Sequence, residues 1–212
     1  MNLSGDRPRP KVRTYNGGKK DISLGTELTE KLKEFSRESA ATLFMIGLAG
    51  VKALLYKYTG QSDLIVGTGL AGRNHTDLED QIGFYVNTLP IRTKFEGSNS
   101  FRQLTENVME STLGAYEHQT YPFDELLENI SLEFDVSRNP MFDVTVVLQN
   151  TSAVAAESGQ MAKLDGLEIS GFDGGEMLET SKFDLSFTYE EFEGEMYVTL
   201  VYNSDIYSGE LA

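Results

Sequence analysis

The chain has 212 residues, of which 40% are apolar and 10% aromatic, and this content can bury one sizeable hydrophobic core. It contains no cysteine, which excludes disulfides, thiolate nucleophiles and cysteine-ligated zinc. Its net charge of −15 at pH 7 argues against nucleic acid as a partner, because lysine and arginine supply the affinity for a phosphate backbone.

The first part of the chain predicts a linker followed by two helices. Residues 1–20 are basic and poor in apolar side chains, so we expect an extended linker there. Helical periodicity begins at Thr26, and a second, largely buried helix is expected to start after Ser39 or Thr42. Gly60 stands where a left-handed residue would end that helix.

Later segments predict further helices and strands. Residues 64–66 form a short apolar run that indicates a buried strand. Ser100 and Gln103 have capping-box spacing at the start of a helix, and Pro122 suits the first turn of a shorter one. Alternating apolar residues indicate three later strands, in segments 142–149, 183–189 and 196–202. Helices early and strands late predict a mixed α/β fold, built as a layered α+β sandwich.

The Gly-x-Gly-x-x-Gly spacing at residues 67–72 suggests a dinucleotide-binding loop. Such a site also needs a packed helix after the glycines and an acidic residue about 20 positions later. Residues 73–80 are too polar for that helix, and position 92 is an arginine. We therefore expect the glycines to let a tight turn leave a buried strand.

Two histidines are present, His75 and His118, and they lack the spacing of a zinc site, so no metal is expected. His118 would act as a general base only with an orienting partner and a substrate within hydrogen-bond reach. A histidine that is hydrogen-bonded to backbone near a helix start is the simpler interpretation.

Residues 82–89, with the sequence IGFYVNTL, suit a packed strand because of their apolar and aromatic side chains. Asn87 is the exception, since asparagine has a low strand propensity. A buried amide there must find partners, either in a ligand or in its own backbone.

The segment Ser137-Arg138-Asn139-Pro140 indicates a turn, because Pro140 favours an extended Asn139 before the next strand. Arg138 is interpreted mainly as a structural clamp, onto backbone carbonyls or a carboxylate, with a functional role as the alternative.

Three segments fall in an order that resembles the last three signature motifs of the condensation domains of nonribosomal peptide synthetases. They are IGFYVNTL at 82–89, HQTYPF at 118–123 and SRNP at 137–140. Further similarity extends over essentially the whole chain, at residues 6–10, 42–44, 61–73, 148–150, 182–185 and 202–203. The catalytic His-His-x-x-x-Asp-Gly motif of that family is absent from this sequence. The chain therefore resembles the C-terminal lobe of such a domain without its catalytic lobe.

The resemblance implies a chloramphenicol acetyltransferase-like fold, in which two similar α/β lobes form a V around a tunnel that holds the active site. Residues 1–20 would be the interlobe linker and residues 21–212 the C-terminal lobe. Within that lobe, residues 150–180 would form a latch-like segment that crosses to the other lobe. The catalytic histidine would lie on the missing lobe, so no catalytic residue is assigned in this chain.

The resemblance also suggests which side chains face the tunnel, where oriented amides and hydroxyls would place a thioester or stabilise an oxyanion. The tunnel-facing candidates are Arg73, Asn87 and Ser137. The other motif residues, with a structural or tunnel-lining role, are Gly83, Thr88, His118, Gln119, Pro122, Arg138 and Asn139. No cofactor is expected to bind directly, because phosphopantetheine arms on donor and acceptor carrier proteins would deliver the substrates.

Three functions remain open. The first is the C-terminal lobe of an amide-bond-forming condensation domain, inactive alone and acting in antibiotic biosynthesis with the missing N-terminal lobe and two peptidyl carrier proteins. The second is a self-sufficient acyltransferase or hydrolase that uses His118 with Glu117 or Asp124. The third is a carrier-protein interaction module without chemistry. An excised lobe is also expected to expose an apolar face or to self-associate through it.

The sequence contains neither the apolar core of a signal peptide nor an apolar run of membrane-spanning length. We therefore expect a cytoplasmic protein without a membrane partner.

Overall fold

A six-stranded mixed β-sheet organises the chain. The computed structural model describes residues 3–73, 75–78, 80–132, 135–149 and 179–212. The strands are β1 (Gly17–Ser23), β2 (Asp63–Leu70), β3 (Asn87–Lys94), β4 (Val144–Gln149), β5 (Leu185–Phe192) and β6 (Glu195–Asn203), in the order β1-β6-β5-β4-β2-β3. Strand β4 runs parallel to β2 and β5, whereas the β1–β6, β5–β6 and β2–β3 pairs are antiparallel. The mixed α/β fold class is thus confirmed.

Four α-helices accompany the sheet within the described ranges, together with a short 3₁₀ turn at Thr76–Leu78. They are α1 (Gly25–Ser39), α2 (Leu43–Thr59), α3 (Phe101–Glu117) and α4 (Phe123–Asn129). Helices α1, α2 and α3 form one layer, since α2 contacts both of the others while the three pack on β6, β4 and β3 respectively.

The helix ends have the capping residues that the sequence predicts. The hydroxyl of Thr42 accepts a hydrogen bond from the Met45 N–H (3.2 Å), and Gly60 ends α2 with a φ of 67°. Ser100 and Gln103 form the complete capping box at the start of α3. These caps are therefore confirmed.

The hydrophobic core lies between this helical layer and the sheet. Helix α2 contributes Leu48, Val51 and Leu55, all at most 2% exposed, whereas Leu54 and Tyr58 are 45% and 65% exposed. The predicted burial thus applies to part of this helix. Burial of one leucine or valine side chain is worth about 1.5–3 kcal/mol. The sheet side of the core consists mainly of Leu64, Val66, Ile91, Val144 and Val146.

A lysine lies inside this core. The ammonium group of Lys52 donates to the Ile91 carbonyl (2.8 Å), the Thr93 hydroxyl (2.7 Å) and the Leu64 carbonyl (3.5 Å), so it links α2 to both β2 and β3. Burial lowers the pKa of Lys52 from 10.5 to about 7, and the carboxylate of Asp63 opposes that shift.

The predicted linker boundary at residue 20 falls inside a strand. Residues 17–20 belong to β1, which pairs with β6 from Gly17 opposite Asn203 to Ser23 opposite Tyr197. The preceding residues also lie against the rest of the fold, since the Arg7 and Arg13 N–H groups donate to the carbonyls of Ile206 and Val136. The predicted crossing segment 150–180 lies outside the described residues except for its last two positions.

Within the described residues, no single helix has the length and apolar content to cross a bilayer. Helices α1 and α2 satisfy those criteria only as a pair, and the chain bends by 106° between them.

Candidate functional site

The glycine motif lies in a strand, and this corrects the turn predicted for its first two members. Gly67 and Gly69 belong to β2, and only Gly72, with a φ of 67°, lies in the turn that follows. A Cβ atom at Gly67 would lie 2.1 Å from Cε2 of Phe142, so the ring of Phe142 occupies the space beside this backbone. Strand packing therefore explains Gly67 without a nucleotide.

The aromatic segment before β3 is exposed, contrary to the packed strand predicted for residues 82–89. The side chain of Ile82 is fully exposed (104%), and those of Phe84 and Val86 are 89% and 51% exposed. The last residue pair of the β2–β3 ladder is Leu70 opposite Asn87. Residues before Asn87 therefore have no strand opposite them and continue as a loop.

Arg73 holds that loop in shape. Its guanidinium donates to the carbonyl of Leu78 and to that of Gly83 (3.4 Å), and it lies 4.6 Å from the ring centroid of Tyr85. The hydroxyl of Tyr85 donates to Gln81 (2.6 Å). Arg73 thus binds its own loop, and its predicted tunnel-facing role stays a prediction.

Asn87 connects the start of β3 to the turn between α3 and α4. Its side-chain NH₂ donates to the carbonyls of Gln119 and Tyr121, both at 2.8 Å, and its Oδ1 accepts from the Thr88 N–H (2.9 Å). The sequence left two partners open for this amide, a ligand or the backbone. In the structure, the partners of the Asn87 amide are backbone groups.

These contacts bring two of the three sequence motifs to one groove of about 360 Å³. The residues that line it are Gly72, Tyr85, Val86, Asn87, Gln119, Thr120, Pro122 and Asp124. Pro122 is the N-cap of α4, one position before the predicted first turn. The predicted residues Asn87, Gln119 and Pro122 therefore share one surface with the exposed loop.

His118 ends α3 with its side chain exposed. Its N–H donates to the Ala115 carbonyl (3.2 Å), and its own carbonyl accepts from the Tyr121 N–H (3.0 Å). Within the described ranges, neither Glu117 nor Asp124 forms an ion pair with it. The same ranges contain no group of three or more side chains that could hold a metal ion.

The third motif is a turn held by the carboxylates of Asp135 and Asp143, which flank it, and by the backbone of Lys182. Asp135 Oδ1 accepts from both the N–H (2.8 Å) and the hydroxyl (2.7 Å) of Ser137. Arg138 donates to the carboxylate of Asp143 at 2.6 Å, which is one of the two structural clamps considered from the sequence. The side-chain NH₂ of Asn139 donates to the Lys182 carbonyl (3.3 Å).

One ring contact joins this turn to the groove. Phe142, just after the third motif, lies 5.6 Å from Phe123 at the start of α4 and 5.7 Å from Phe183. The three rings set the position of α4, which carries one wall of the groove.

Arg9, Arg13 and Asp184 received no role from the sequence, although Arg9 and Asp184 lie in segments that carry the family resemblance. Arg9 forms an ion pair with Asp184, and Arg13 donates to Oδ1 of Asn139 (2.5 Å). Arginines at positions 7, 9 and 13 share the period-two spacing of an extended chain with one bound face. That spacing was the available signal, but the basic composition of the segment suggested a solvated linker instead.

We predict that Asn87→Ala lowers the free energy of unfolding by about 1–3 kcal/mol, because it leaves two carbonyls and one N–H without their side-chain partner. Asn87→Asp should be at least as destabilising at pH 7, since a carboxylate would face the carbonyls of Gln119 and Tyr121. Denaturant unfolding measures both. Asn107→Ala is the control, as that amide makes one long bond, to the Lys94 carbonyl (3.4 Å). Equal stability of Asn87→Ala and Asn107→Ala would contradict the bracing role of Asn87.

The chain is similar in sequence to a known family over its whole length. A family model described as "Condensation domain" matches residues 1–212. The chain is 39% identical over 207 residues to gramicidin S synthase 2 of Aneurinibacillus migulanus, a match that covers 98% of this chain and 4% of that protein. It is 38% identical over 212 residues to bacitracin synthase 2 of Bacillus licheniformis, covering 100% of this chain and 8% of that protein. The chain thus spans a small part of these curated relatives.

Solved structures show the same fold. A four-domain nonribosomal peptide synthetase bound to AMP and glycine matches with a TM-score of 0.85 and 23% identity, over 98% of this chain and 16% of that one. The X-domain from teicoplanin biosynthesis matches with a TM-score of 0.81 and 24% identity, over 100% of this chain and 48% of that one.

Proposed function

The chain belongs to the condensation domain family, and we propose that it is the C-terminal lobe of a domain that forms amide bonds in nonribosomal peptide synthesis. Two observations support the assignment to one lobe. The whole chain matches 48% of the X-domain, as one half of a two-lobe fold would. The sequence also lacks the paired-histidine motif that the resemblance assigns to the other lobe.

The observation that carries the proposal is the groove shared by the two motifs at 82–89 and 118–123. In the proposed reaction, the amine of one carrier-bound aminoacyl group attacks the thioester carbonyl of another. A C–N bond forms, the C–S bond breaks, and the amine proton passes to the departing thiol. Positioning of two bound reactants is worth about 7–11 kcal/mol in favourable cases. The groove would contribute to that positioning, while the acid–base group lies on the partner lobe.

The contacts of Asn87 and Arg73 suit the groove to positioning a substrate. The side-chain NH₂ of Asn87 donates both of its hydrogens to backbone carbonyls, and the guanidinium of Arg73 binds its own loop. These two side chains therefore hold the wall of the groove in shape. His118 has no carboxylate partner among the described residues, and this favours the proposal over a self-sufficient hydrolase.

The proposed partners are an N-terminal lobe and the donor and acceptor peptidyl carrier proteins, whose phosphopantetheine arms deliver the substrates. The apolar loop with Ile82, Phe84 and Val86 is surface that we expect the partner lobe, or a second copy in its absence, to cover. A cytoplasmic location is part of the same proposal, as is a role in peptide antibiotic biosynthesis.

We predict that the purified chain forms no amide bond between two loaded carrier proteins. His118 has no carboxylate partner among the described residues, and His75, which lies 3.3 Å from a carboxylate oxygen of Asp77, is 70% exposed and does not line the groove. Mass spectrometry of the carrier-bound products measures this. Product that disappears in His118→Ala would establish the self-sufficient enzyme instead. Product that survives this substitution would also refute the proposal, since the chain would then be catalytically complete without His118.

A further inference from the structure

The N-terminal segment is bound along the lobe by its backbone and its arginines. The N–H groups of Arg7 and Arg13 donate to the carbonyls of Ile206 (3.1 Å) and Val136 (2.9 Å). Between these two points lies Arg9, which carries the most buried of the contacts. The segment therefore follows a defined path across the turn of the third motif.

Arg9 joins three structural elements with one guanidinium. Its Nη1 donates to the Ser137 carbonyl (3.2 Å) and to Asp184 Oδ1 (3.2 Å), while its Nη2 pairs with Asp184 Oδ2. The side chains of Arg9 and Asp184 are only 18% and 7% exposed. Burial raises the pKa of the Asp184 carboxyl, and the bond from Arg9 opposes that rise. A planar, two-pronged contact of this kind fixes direction as well as distance.

The seat for Arg9 is itself held in place. Arg138 pairs with Asp143 at 2.6 Å, and the other oxygen of Asp143 accepts from the Asn139 N–H (3.3 Å). Asn139 in turn accepts a hydrogen bond from Arg13 at 2.5 Å. The side chain of Asp143 is 7% exposed, so the two bonds to its carboxylate are partly shielded from water, whereas the Arg13–Asn139 bond is exposed. The third motif thus presents a rigid acceptor surface to the N-terminal segment.

We propose that residues 135–139, together with Asp184, form a seat that locks the N-terminal segment into one path, with Arg9 as the positioning residue. This inference rests on the proposed function in one respect: in a two-lobe domain that segment joins the lobes. The seat then sets the angle at which the partner lobe meets the groove. The signature Ser-Arg-Asn-Pro turn acts on the linker and contributes no group to the reacting atoms.

The seat is tested first on the chain itself by hydrogen exchange. Arg9→Met should accelerate exchange of the Arg7 and Arg13 amides by about ten-fold, while the core-strand amides of Val146 and Phe187 keep their rates. Arg92→Met is the matched control, because it breaks an exposed ion pair with Asp63 that lies away from the segment. Unchanged rates at Arg7 and Arg13, or equal acceleration in the core strands, would overturn the seat.

A second variant covers the case in which Arg9→Met does not fold. Arg9→Lys keeps the charge beside Asp184 but loses the planar fork that also reaches the Ser137 carbonyl. Arg9→Lys should accelerate hydrogen exchange of the Arg7 and Arg13 amides by less than the factor of about ten expected for Arg9→Met. Rates identical to the unsubstituted chain would again overturn the seat.

The consequence for the reaction is tested in the reunited two-lobe domain. Arg9→Lys should lower kcat by about ten-fold or more, because a misplaced lobe misaligns the reactants, while KM for both carrier proteins stays within about two-fold. A raised KM with normal kcat, or no change in either, would overturn the positioning role. If the unsubstituted two-lobe domain forms no product, the proposed function fails, and the exchange data still decide whether the seat exists.

Discussion

Gly67→Ala is expected to lower the free energy of unfolding by about 3 kcal/mol, or Tm by roughly 6–12 °C for a chain of this size. The added methyl carbon would lie 2.1 and 2.3 Å from two ring atoms of Phe142. That ring cannot move freely, because Phe123 and Phe183 contact it with ring centroids 5.6 and 5.7 Å away. The strain would therefore reach α4 and the groove.

Gly69→Ala is the matched control for this substitution. Gly69 lies two residues farther along β2 on the same face, and a Cβ atom there would meet nothing within 4 Å. The variant should be neutral, or more stable by about 0.4–1 kcal/mol, since alanine restricts the unfolded chain. Thermal unfolding of both variants measures the difference. Equal Tm values for Gly67→Ala and Gly69→Ala would refute the packing explanation of this glycine.

Lys52→Met should change the pH dependence of stability more than any exposed substitution. Because folding lowers the pKa of Lys52 from 10.5 to about 7, the unfolded chain binds more protons than the folded chain between these two values. The stability of the unsubstituted chain relative to Lys52→Met should therefore rise with pH, by up to about 1.4 kcal/mol per unit and roughly 4 kcal/mol from pH 7 to 10. The loss of folding free energy caused by the lowered pKa of Lys52 is absent above pH 10.5 and reaches its full size once the pH has fallen through about 7.

Denaturant unfolding at several pH values between about 7 and 10 measures this slope. Lys57→Met is the control, as it removes an exposed lysine from the same helix. Methionine at position 52 fills a similar volume, so the comparison isolates the ammonium group and its three hydrogen bonds. Parallel stability curves for the unsubstituted chain and Lys52→Met would show that the buried lysine keeps its charge without a penalty.

The helices and strands with a regular spacing of apolar side chains were predicted correctly from the sequence. The three strands from residue 142 onward alternate apolar and polar residues, and α2 has a hydroxyl cap and a glycine at its ends, so these were found from the sequence. Strand β1 was not. Its sequence, GGKKDIS, is polar and exposed and carries no alternation, because an edge strand depends on its pairing with β6, which follows about 180 residues later.

The sequence predicted three of the residues that line the groove, Asn87, Gln119 and Pro122, but not their partners. Asn87 stood out because a polar amide is unusual in an apolar run, yet its acceptors at 119 and 121 are adjacent only after folding. The error at residues 82–86 has the opposite cause. Apolar side chains normally indicate burial, but Ile82, Phe84 and Val86 are all at least 51% exposed among the described residues.

The most direct test of the account is amide formation by the reunited lobes. The 212-residue chain is co-expressed with an N-terminal lobe that contains a His-His-x-x-x-Asp-Gly motif, and the complex receives loaded donor and acceptor carrier proteins. We predict that the complex forms the carrier-bound peptide, that neither lobe does so alone, and that substitution of the second histidine of the partner lobe abolishes the product. A folded complex that forms no peptide, or one whose activity survives loss of that histidine, would contradict the assignment of this chain as the C-terminal lobe of an amide-forming domain.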